Sequence, residues 1–135
     1  SHWFISDQAV KKARLGAIGY HPSLLPRHRG RDAVRWTVAC GDPVTGGSIY
    51  RLNDKVDGGN ILMQSLQFVD RNWDHHELWK QLFPAGVKLV RDTVRLLATE
   101  GFVEGTPQDE RFATWEPPFD PSARLFRPEL LQLPE

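Results

Sequence analysis

Apolar and polar positions recur with two different periods along the chain, and together they predict short strands interleaved with helices. Residues 17–21, 48–52 and 61–69 have strand-like composition. In the last of these runs Ser65 and Gln67 alternate with Leu66 and Phe68, which predicts a strand with one solvated polar face. The apolar residues 3–5 indicate the end of a further buried strand.

Helical spacing of apolar residues marks residues 7–13, 32–40 and the stretch that follows Asp74. Asp74 with Glu77 three positions later is the pattern of a capping box, so a helix is predicted to begin there. Pro84 is expected to end or kink this helix, and a second helix is predicted to run to about residue 98, before Gly101. The stripe predicted to face the core consists of Val87, Val90, Val94 and Leu97.

Strands that alternate with helices predict an α/β domain whose sheet is at least partly parallel. We assign residues 1–105 to this core. After residue 105 six prolines make a regular helix or a central strand unfavourable. Residues 106–135 are therefore predicted to be an extension that either wraps the core or links onward.

Composition limits the classes of partner. Seventeen basic and seventeen acidic side chains cancel, which disfavours nucleic acid and anionic membranes as partners. The chain has no apolar run near the ~20 residues of a membrane helix. The single cysteine, Cys40, excludes an internal disulfide and fits a reducing cytoplasm, and we expect it to fill space in the core. These features predict a cytoplasmic domain.

The first residues are apolar and aromatic, whereas natural termini are usually polar and loosely held. This pattern predicts that the chain is a fragment that opens inside a larger fold and lacks its N-terminal half. A sheet interrupted in this way has an unpaired edge, which would favour self-association.

The candidate chemistry lies at the end of the first central strand. Positions 19 and 21 share one face of that strand, and with a glycine at position 19 only His21 supplies a functional side chain there. Asp57 is able to orient His21 or to exchange protons with it through water. Gly58 and Gly59 would let the backbone approach a ligand closely. On spacing alone a loop histidine and a turn aspartate remain the alternative.

The strings HPSLLPRHRG at 21–30 and VDGGNIL at 56–62 together resemble the formyltransferase family that uses N10-formyltetrahydrofolate. That family includes methionyl-tRNA formyltransferase, glycinamide ribonucleotide transformylase, sugar-nucleotide formyltransferases and the hydrolase domain of formyltetrahydrofolate dehydrogenase. The resemblance covers residues 13–69 and returns faintly at 107–115. It implies the C-terminal half of a formyltransferase-type Rossmann-like domain, with a mixed sheet and flanking helices.

The resemblance also implies roles for individual residues. His21 would stabilise charge on the formyl oxygen during attack by an amine, and Asp57 would set the protonation of His21 and help to move a proton. The residues implied to shape the folate and substrate site are Ser23, Leu24, Leu25, Pro26, Val56, Gly58 and Gly59. N10-formyltetrahydrofolate would be the formyl donor, with no metal involved.

Gly19 departs from the family pattern, because it occupies the position of the catalytic asparagine. Loss of an oxyanion donor costs about 10²–10³ in kcat in other enzymes. Either another group replaces the asparagine, or the protein is slow, altered or non-catalytic; Tyr20 is an unsuitable replacement because it points to the opposite face.

Three functions therefore stay open. They are formyl transfer to a small-molecule amine such as a sugar nucleotide, hydrolysis of formyltetrahydrofolate, and folate binding without catalysis. Methionyl-tRNA is disfavoured as acceptor, since the sequence shows no basic surface.

Two further groups of residues have functional and structural interpretations. His28, Arg29 and Arg31 form a basic cluster that would either contact an acidic substrate group or the glutamate tail of folate, or lie in an exposed loop. His75 and His76 are adjacent, so on a helix they point about 100° apart, which favours a solvated helix start over a metal site.

Overall fold

The computed structural model describes residues 16–119, and the elements predicted at residues 3–5 and 7–13 lie outside that range. Three strands form one sheet in the order β1 (Ile18–His21), β2 (Val44–Arg51) and β3 (Ile61–Phe68). All three predicted strands are confirmed, and β2 begins earlier than expected. Both neighbouring pairs are antiparallel, so the parallel pairing expected from the alternating pattern is not met by these three strands.

Helix α1 (Ala33–Ala39) lies between β1 and β2, close to its predicted bounds, with Asp32 and Cys40 as its caps. Gly41 follows with a φ of 67°, a left-handed conformation that glycine adopts at little cost and that ends the helix. Cys40 is exposed, so the expectation that it fills the core is wrong. The buried residues of α1 are Ala33, Trp36 and Thr37, whereas Cys40 lies past the last turn.

Helix α2 (His75–Glu100) is continuous, which corrects the expected break at Pro84. The Asp74 carboxylate accepts a hydrogen bond from the backbone N–H of Glu77 at 2.8 Å, so the predicted N-cap is confirmed. A proline at position 84 removes the hydrogen bond to the carbonyl of Lys80. Because Lys80 and Pro84 are both exposed, water is able to satisfy that carbonyl and the helix continues.

The apolar stripe predicted for the second half of α2 is mostly wrong. The exposed fractions of Val87, Val90 and Val94 are 51%, 39% and 53%. The buried stripe is Leu78, Leu82, Gly86, Leu89, Thr93 and Leu97. The two stripes differ by about one position, or 100° around the helix, and both are apolar enough to suit a core. Periodicity alone therefore could not choose between them.

The predicted polar face of β3 is also reversed. Leu66 and Phe68 are exposed, while Ser65 and Gln67 are half-buried. The face that carries Ser65 is the one that packs on α2, since Thr93 of α2 lies 3.7 Å from the Met63 sulfur. A short strand with mixed composition on both faces takes its orientation from the helix above it.

The two faces of the sheet have different surroundings. Tyr20 points toward α2, where Cβ atoms added to Gly47 and Gly86 would come within 2.6 Å and 3.0 Å of its ring and hydroxyl. These glycines let the helix and the sheet approach each other closely. The opposite face carries His21 and Tyr50 and is covered by the loops that follow β1 and β2.

Residues 106–119 lie against the core. Thr106 forms a bridge with Ile61, Trp115 forms a bridge with Arg29, and a 3₁₀ helix (Glu110–Phe112) lies between them. No helix within residues 16–119 is long and apolar enough to cross a membrane. The α/β class predicted from the sequence is thus confirmed, with a three-stranded sheet and two helices in the part of the chain that the structure describes.

Candidate functional site

His21 lies at the C-terminal end of β1 and is almost completely buried, with 1% of its surface exposed. Its Nε2 atom lies 2.6 Å from the backbone carbonyl oxygen of His28. A carbonyl oxygen only accepts, so Nε2 carries a proton and donates. The loop after β1 therefore selects the protonation state of one ring nitrogen and leaves Nδ1 as the site of proton exchange.

Asp57 meets His21 from the loop between β2 and β3, as the sequence predicts. Its Oδ2 atom lies 3.5 Å from His21 Nδ1 and accepts a hydrogen bond from the Gly30 amide at 2.8 Å. Its Oδ1 atom accepts from the Tyr50 hydroxyl at 2.7 Å. Asp57 has a φ of 54°, a left-handed conformation that aspartate tolerates better than most residues. The structure thus brings together a buried imidazole and a buried carboxylate.

The environment of His21 favours the neutral ring. Burial lowers the pKa of His21 below its ordinary value of 6.5, while the Asp57 carboxylate and the His28 carbonyl act in the opposite direction. With Nε2 protonated, the neutral ring directs the Nδ1 lone pair toward Asp57. The pair is therefore arranged to take up one proton between Nδ1 and Oδ2 during a reaction.

A cavity of about 460 Å³ opens beside His21. It lies between the end of β1, the start of α1 and the first turn of α2, and Arg35, His75 and Trp79 contribute to its wall. The wall combines apolar surface with basic side chains, and its size suits a small ligand. His21 lies on this wall and Asp57 does not, so a bound molecule would meet the buried pair from the His21 side.

The predicted loop residues after His21 serve first to build the loop. Ser23 is fully buried and donates to the Arg27 carbonyl at 2.6 Å, and Leu25 is buried. The Ser48 hydroxyl on β2 donates to the Ser23 carbonyl at 2.7 Å and accepts from the Leu25 amide at 3.1 Å. Leu24 and Pro26 are half-buried. None of the four predicted loop residues lines the cavity beside His21, so their contact with a ligand stays a prediction.

The predicted residues around Asp57 also have structural tasks. A Cβ atom on Gly59 would lie 1.6 Å from the backbone oxygen of Arg51, so glycine is required for the loop to return onto β2. A Cβ atom on Gly58 would meet Lys55 at 3.0 Å, and Val56 is half-buried. These three residues do not line the cavity beside His21, and their predicted role in a pterin pocket stays a prediction.

His28 is buried and ion-paired, so neither interpretation of the basic cluster fits it. Its Nε2 atom lies 2.7 Å from Asp42 Oδ2 and its Nδ1 atom 2.8 Å from Glu116 Oε1. Ionised carboxylates only accept, so each ring nitrogen lies at hydrogen-bond distance from an oxygen that accepts. Arg27 adds a bidentate pair with Asp42 at 2.8 Å and 2.9 Å. This network anchors the loop after β1.

The same region holds a group of potential metal ligands. Donor atoms of His28, Cys40 and Asp42 lie within 4.8 Å of one another. The carboxylate oxygens of Asp42 are already engaged by Arg27 and His28, and the positive charge of Arg27 opposes a nearby cation. The arrangement therefore fits an ion-pair network better than a metal centre.

Arg29 and Gln108 connect the extension to the candidate site, and sequence reasoning missed this connection. Gln108 Nε2 donates to the backbone oxygens of Asp57 at 2.8 Å and of Gly59 at 2.7 Å. Its Oε1 atom accepts from Arg29 Nε at 3.1 Å, and Arg29 also pairs with Glu110. Arg31, by contrast, is exposed. Arg29 and Gln108 lie 79 residues apart in the sequence, so no local pattern predicts their contact.

His75 and His76 begin α2, where His76 is exposed and His75 is half-buried. Their ring centroids lie 4.1 Å apart. Burial lowers the pKa of His75, and the neighbouring His76 acts in the same direction. Among the described residues they do not form a ligand group with a third His, Cys or carboxylate.

A family model and the sequences of known proteins both match most of this chain. A family model described as formyl transferase matches residues 2–94. The chain is 41% identical over 114 residues to mitochondrial 10-formyltetrahydrofolate dehydrogenase of Mus musculus, covering 84% of this chain and 12% of that protein. It is 32% identical over 123 residues to methionyl-tRNA formyltransferase of Lactiplantibacillus plantarum, covering 90% of this chain and 38% of that protein. The chain thus spans well under half the length of these relatives.

A solved structure has the same fold. The formyltransferase PseJ from Anoxybacillus kamchatkensis, in complex with UDP-4,6-dideoxy-4-formamido-L-AltNAc and tetrahydrofolate, superposes with a TM-score of 0.73 and 23% identity. The match covers 85% of this chain and 59% of that chain.

Proposed function

Because this chain belongs to the formyl transferase family, as its sequence resemblance predicts, we propose that it moves the formyl group of N10-formyltetrahydrofolate through the His21–Asp57 pair. The observation that carries the proposal is the contact at 3.5 Å between His21 Nδ1 and Asp57 Oδ2, in a buried site beside a cavity. An imidazole that is kept neutral next to a carboxylate suits proton transfer near neutral pH.

The proposed reaction balances without a redox step. A nucleophile attacks the formyl carbon, the bond from that carbon to N10 breaks, and the proton lost by the nucleophile passes to N10. Asp57 and His21 Nδ1 are placed to carry this proton between them. The Nε2 proton is held by the His28 carbonyl, so the ring keeps its orientation while Nδ1 gains and loses its proton.

We propose a small-molecule amine as the acceptor, and a sugar nucleotide is one such compound. The cavity has a suitable size, and Arg35 in its wall offers a positive charge to an anionic substrate. The PseJ complex contains a formylated amino sugar nucleotide, which supports this class of acceptor.

Water is the second candidate acceptor. The observation that favours it is the 41% identity to a 10-formyltetrahydrofolate dehydrogenase, against 32% to a methionyl-tRNA formyltransferase. In that case the nucleophile is a water molecule, the new bond is C–O, and the products are formate and tetrahydrofolate.

The test is a product analysis with N10-formyltetrahydrofolate, with and without an amino sugar nucleotide. A formylated amine supports transfer, and formate released in the absence of an amine supports hydrolysis. We expect His21→Ala and Asp57→Asn to reduce either activity by at least about 100-fold, within the range of acid–base catalysis. Asp54→Asn is the matched control, because Asp54 is exposed in the same loop. Undiminished rates in the His21 and Asp57 variants would refute the proposed role of the pair.

A further inference from the structure

Within residues 16–119, Tyr50 is a second side chain, besides His21, that contacts the Asp57 carboxylate. It has 1% of its surface exposed, and its hydroxyl donates to Asp57 Oδ1 at 2.7 Å. Tyr50 lies on β2 directly opposite Gly19 of β1. A Cβ atom on Gly19 would come within 3.1 Å of the Tyr50 Cζ atom and 3.2 Å of its oxygen. The phenol thus occupies the space above Gly19, and it reaches Asp57 because position 19 has no side chain.

The two oxygens of Asp57 consequently have different tasks. Oδ1 is held by the Tyr50 hydroxyl, while Oδ2 is held by the Gly30 amide and faces His21 Nδ1. Donors on both oxygens prevent rotation of the carboxylate and hold Oδ2 toward the imidazole.

We propose that Tyr50 is the positioning residue of this site, which holds the Asp57 carboxylate aligned with His21 from the space above Gly19. The inference rests on the proposed function, because it assigns Tyr50 a task in formyl transfer. Tyr50 acts through Asp57, so its removal changes how the His21–Asp57 pair binds a proton.

The chain offers a matched control for the loss of a buried phenol hydroxyl. Tyr20 lies on β1 next to Gly19 and points to the opposite face, toward α2. Its hydroxyl is buried without a hydrogen-bond partner among residues 16–119. Tyr20→Phe and Tyr50→Phe therefore remove the same atom from opposite faces of one sheet, and only Tyr50→Phe removes a donor from Asp57. Because Tyr20 also lines the cavity beside His21, Tyr20→Phe serves as the control for the His21 titration.

The experiment follows the imidazole signals of His21 by NMR as a function of pH in the wild-type protein and in both variants. The titratable groups that face His21 within residues 16–119 are Asp57, from the loop after β2, and His28, from the loop after β1. In Tyr50→Phe the Asp57 carboxylate loses a hydrogen-bond donor and attracts the proton that it shares with His21 more strongly. We expect the His21 titration midpoint to rise by about one pH unit, and that of Tyr20→Phe to stay within about 0.2 units.

Activity and binding provide the second measurement. We expect Tyr50→Phe to lower kcat for formyl release about tenfold while the dissociation constant for 5-formyltetrahydrofolate, used as a stable probe, stays within about twofold. Unchanged His21 titration in Tyr50→Phe, or equal effects of Tyr50→Phe and Tyr20→Phe, would overturn the proposal. A wild-type protein that neither binds the probe nor releases formyl groups would instead refute the proposed function. The NMR titration needs neither a ligand nor turnover, so the two failures are distinguishable.

Discussion

His21 donates a hydrogen bond from Nε2 to the backbone carbonyl of His28, and this contact joins two buried histidines seven residues apart. His28 has a φ of 56° and holds that conformation while its ring lies between the carboxylates of Asp42 and Glu116. The ion-pair network thereby fixes the carbonyl that orients the His21 ring. Loop stability and His21 chemistry are thus coupled through one backbone oxygen.

Asp42→Asn is expected to lower the free energy of unfolding by roughly 1–3 kcal/mol at pH 7, because His28 loses an ionised partner. Burial raises the pKa of Asp42, but hydrogen bonds from Arg27 and His28 bring it below its ordinary value of 3.8. The ionised form therefore contributes stability above about pH 4, and this contribution is lost as the pH falls through the lowered pKa. Denaturant unfolding at pH 7 and pH 3 should show a smaller difference from wild type at pH 3. The control is Asp92→Asn, which removes an exposed pair with Lys88 and should leave stability nearly unchanged, because solvent screens exposed ion pairs.

His21 should make the protein less stable as the pH falls below its ordinary pKa of 6.5. Burial lowers the pKa of His21, so the unfolded chain takes up a proton that the folded chain does not, and stability rises with pH in this range. We expect His21→Gln to flatten the dependence of the unfolding free energy between about pH 7 and pH 5. His76→Gln is the control, since His76 is exposed. Equal slopes for wild type and His21→Gln would contradict the assigned burial effect.

Gly19→Asn is expected to destabilise the protein by about 1–3 kcal/mol, since the new side chain enters the space of Tyr50. The Cβ atom alone would lie 3.0 Å from Leu52 and 3.1 Å from the Tyr50 ring. Thermal or denaturant unfolding of Gly19→Ala, Gly19→Asn and the double variant with Tyr50→Ala measures the conflict. We expect the double variant to lose less unfolding free energy than the sum of the losses in Gly19→Asn and Tyr50→Ala. Strict additivity of the two losses would show that the two positions do not compete for space.

Helix α2 provides a direct test of which stripe faces the core. Leu89→Ala should cost about 2–5 kcal/mol, because Leu89 is buried against the sheet. Val94→Ala should change the free energy of unfolding by no more than about 0.5 kcal/mol, because Val94 is 53% exposed. Chemical denaturation measures both values. A larger loss of stability in Val94→Ala than in Leu89→Ala would instead support the core-facing stripe predicted from the sequence.

Gln108→Ala should loosen the loop that carries Asp57. The amide of Gln108 binds the backbone oxygens of Asp57 and Gly59, and its loss leaves two carbonyls without this donor. We expect faster hydrogen exchange at residues 57–59 and a stability loss of roughly 1–3 kcal/mol. Gln67→Ala is the control, because its side-chain amide bonds only to a neighbouring exposed carbonyl among the described residues. Unchanged hydrogen exchange in Gln108→Ala would show that the Gln108 side chain does not restrain the loop.

The local patterns were sufficient for most elements of the described fold. The three strands, the span of α1 and the Asp74 start of α2 follow from alternation, helical spacing and capping chemistry within a few residues. The inward stripe of α2 and the orientation of β3 were wrong, because each element has apolar residues on two faces. In such elements the packing partner decides the orientation, and no local pattern contains that information.

The candidate site divides in the same way. His21 and Asp57 were predicted as a pair, and the structure places them 3.5 Å apart. Tyr50, Gln108 and Glu116 were missed, since their contacts depend on strand register and on chain segments far away in sequence. Gly19 looked like a loss when considered alone, and its meaning changes once Tyr50 is seen above it.

The left-handed backbone at Asp57 limits which residues are acceptable there. Glutamate keeps the negative charge, but a residue other than glycine, asparagine or aspartate pays about 1–2 kcal/mol in that conformation. Asparagine fits the backbone and sacrifices the charge. Substitution of Asp57 therefore separates shape from charge. Asparagine, the neutral isostere, preserves the loop, whereas the longer glutamate distorts it.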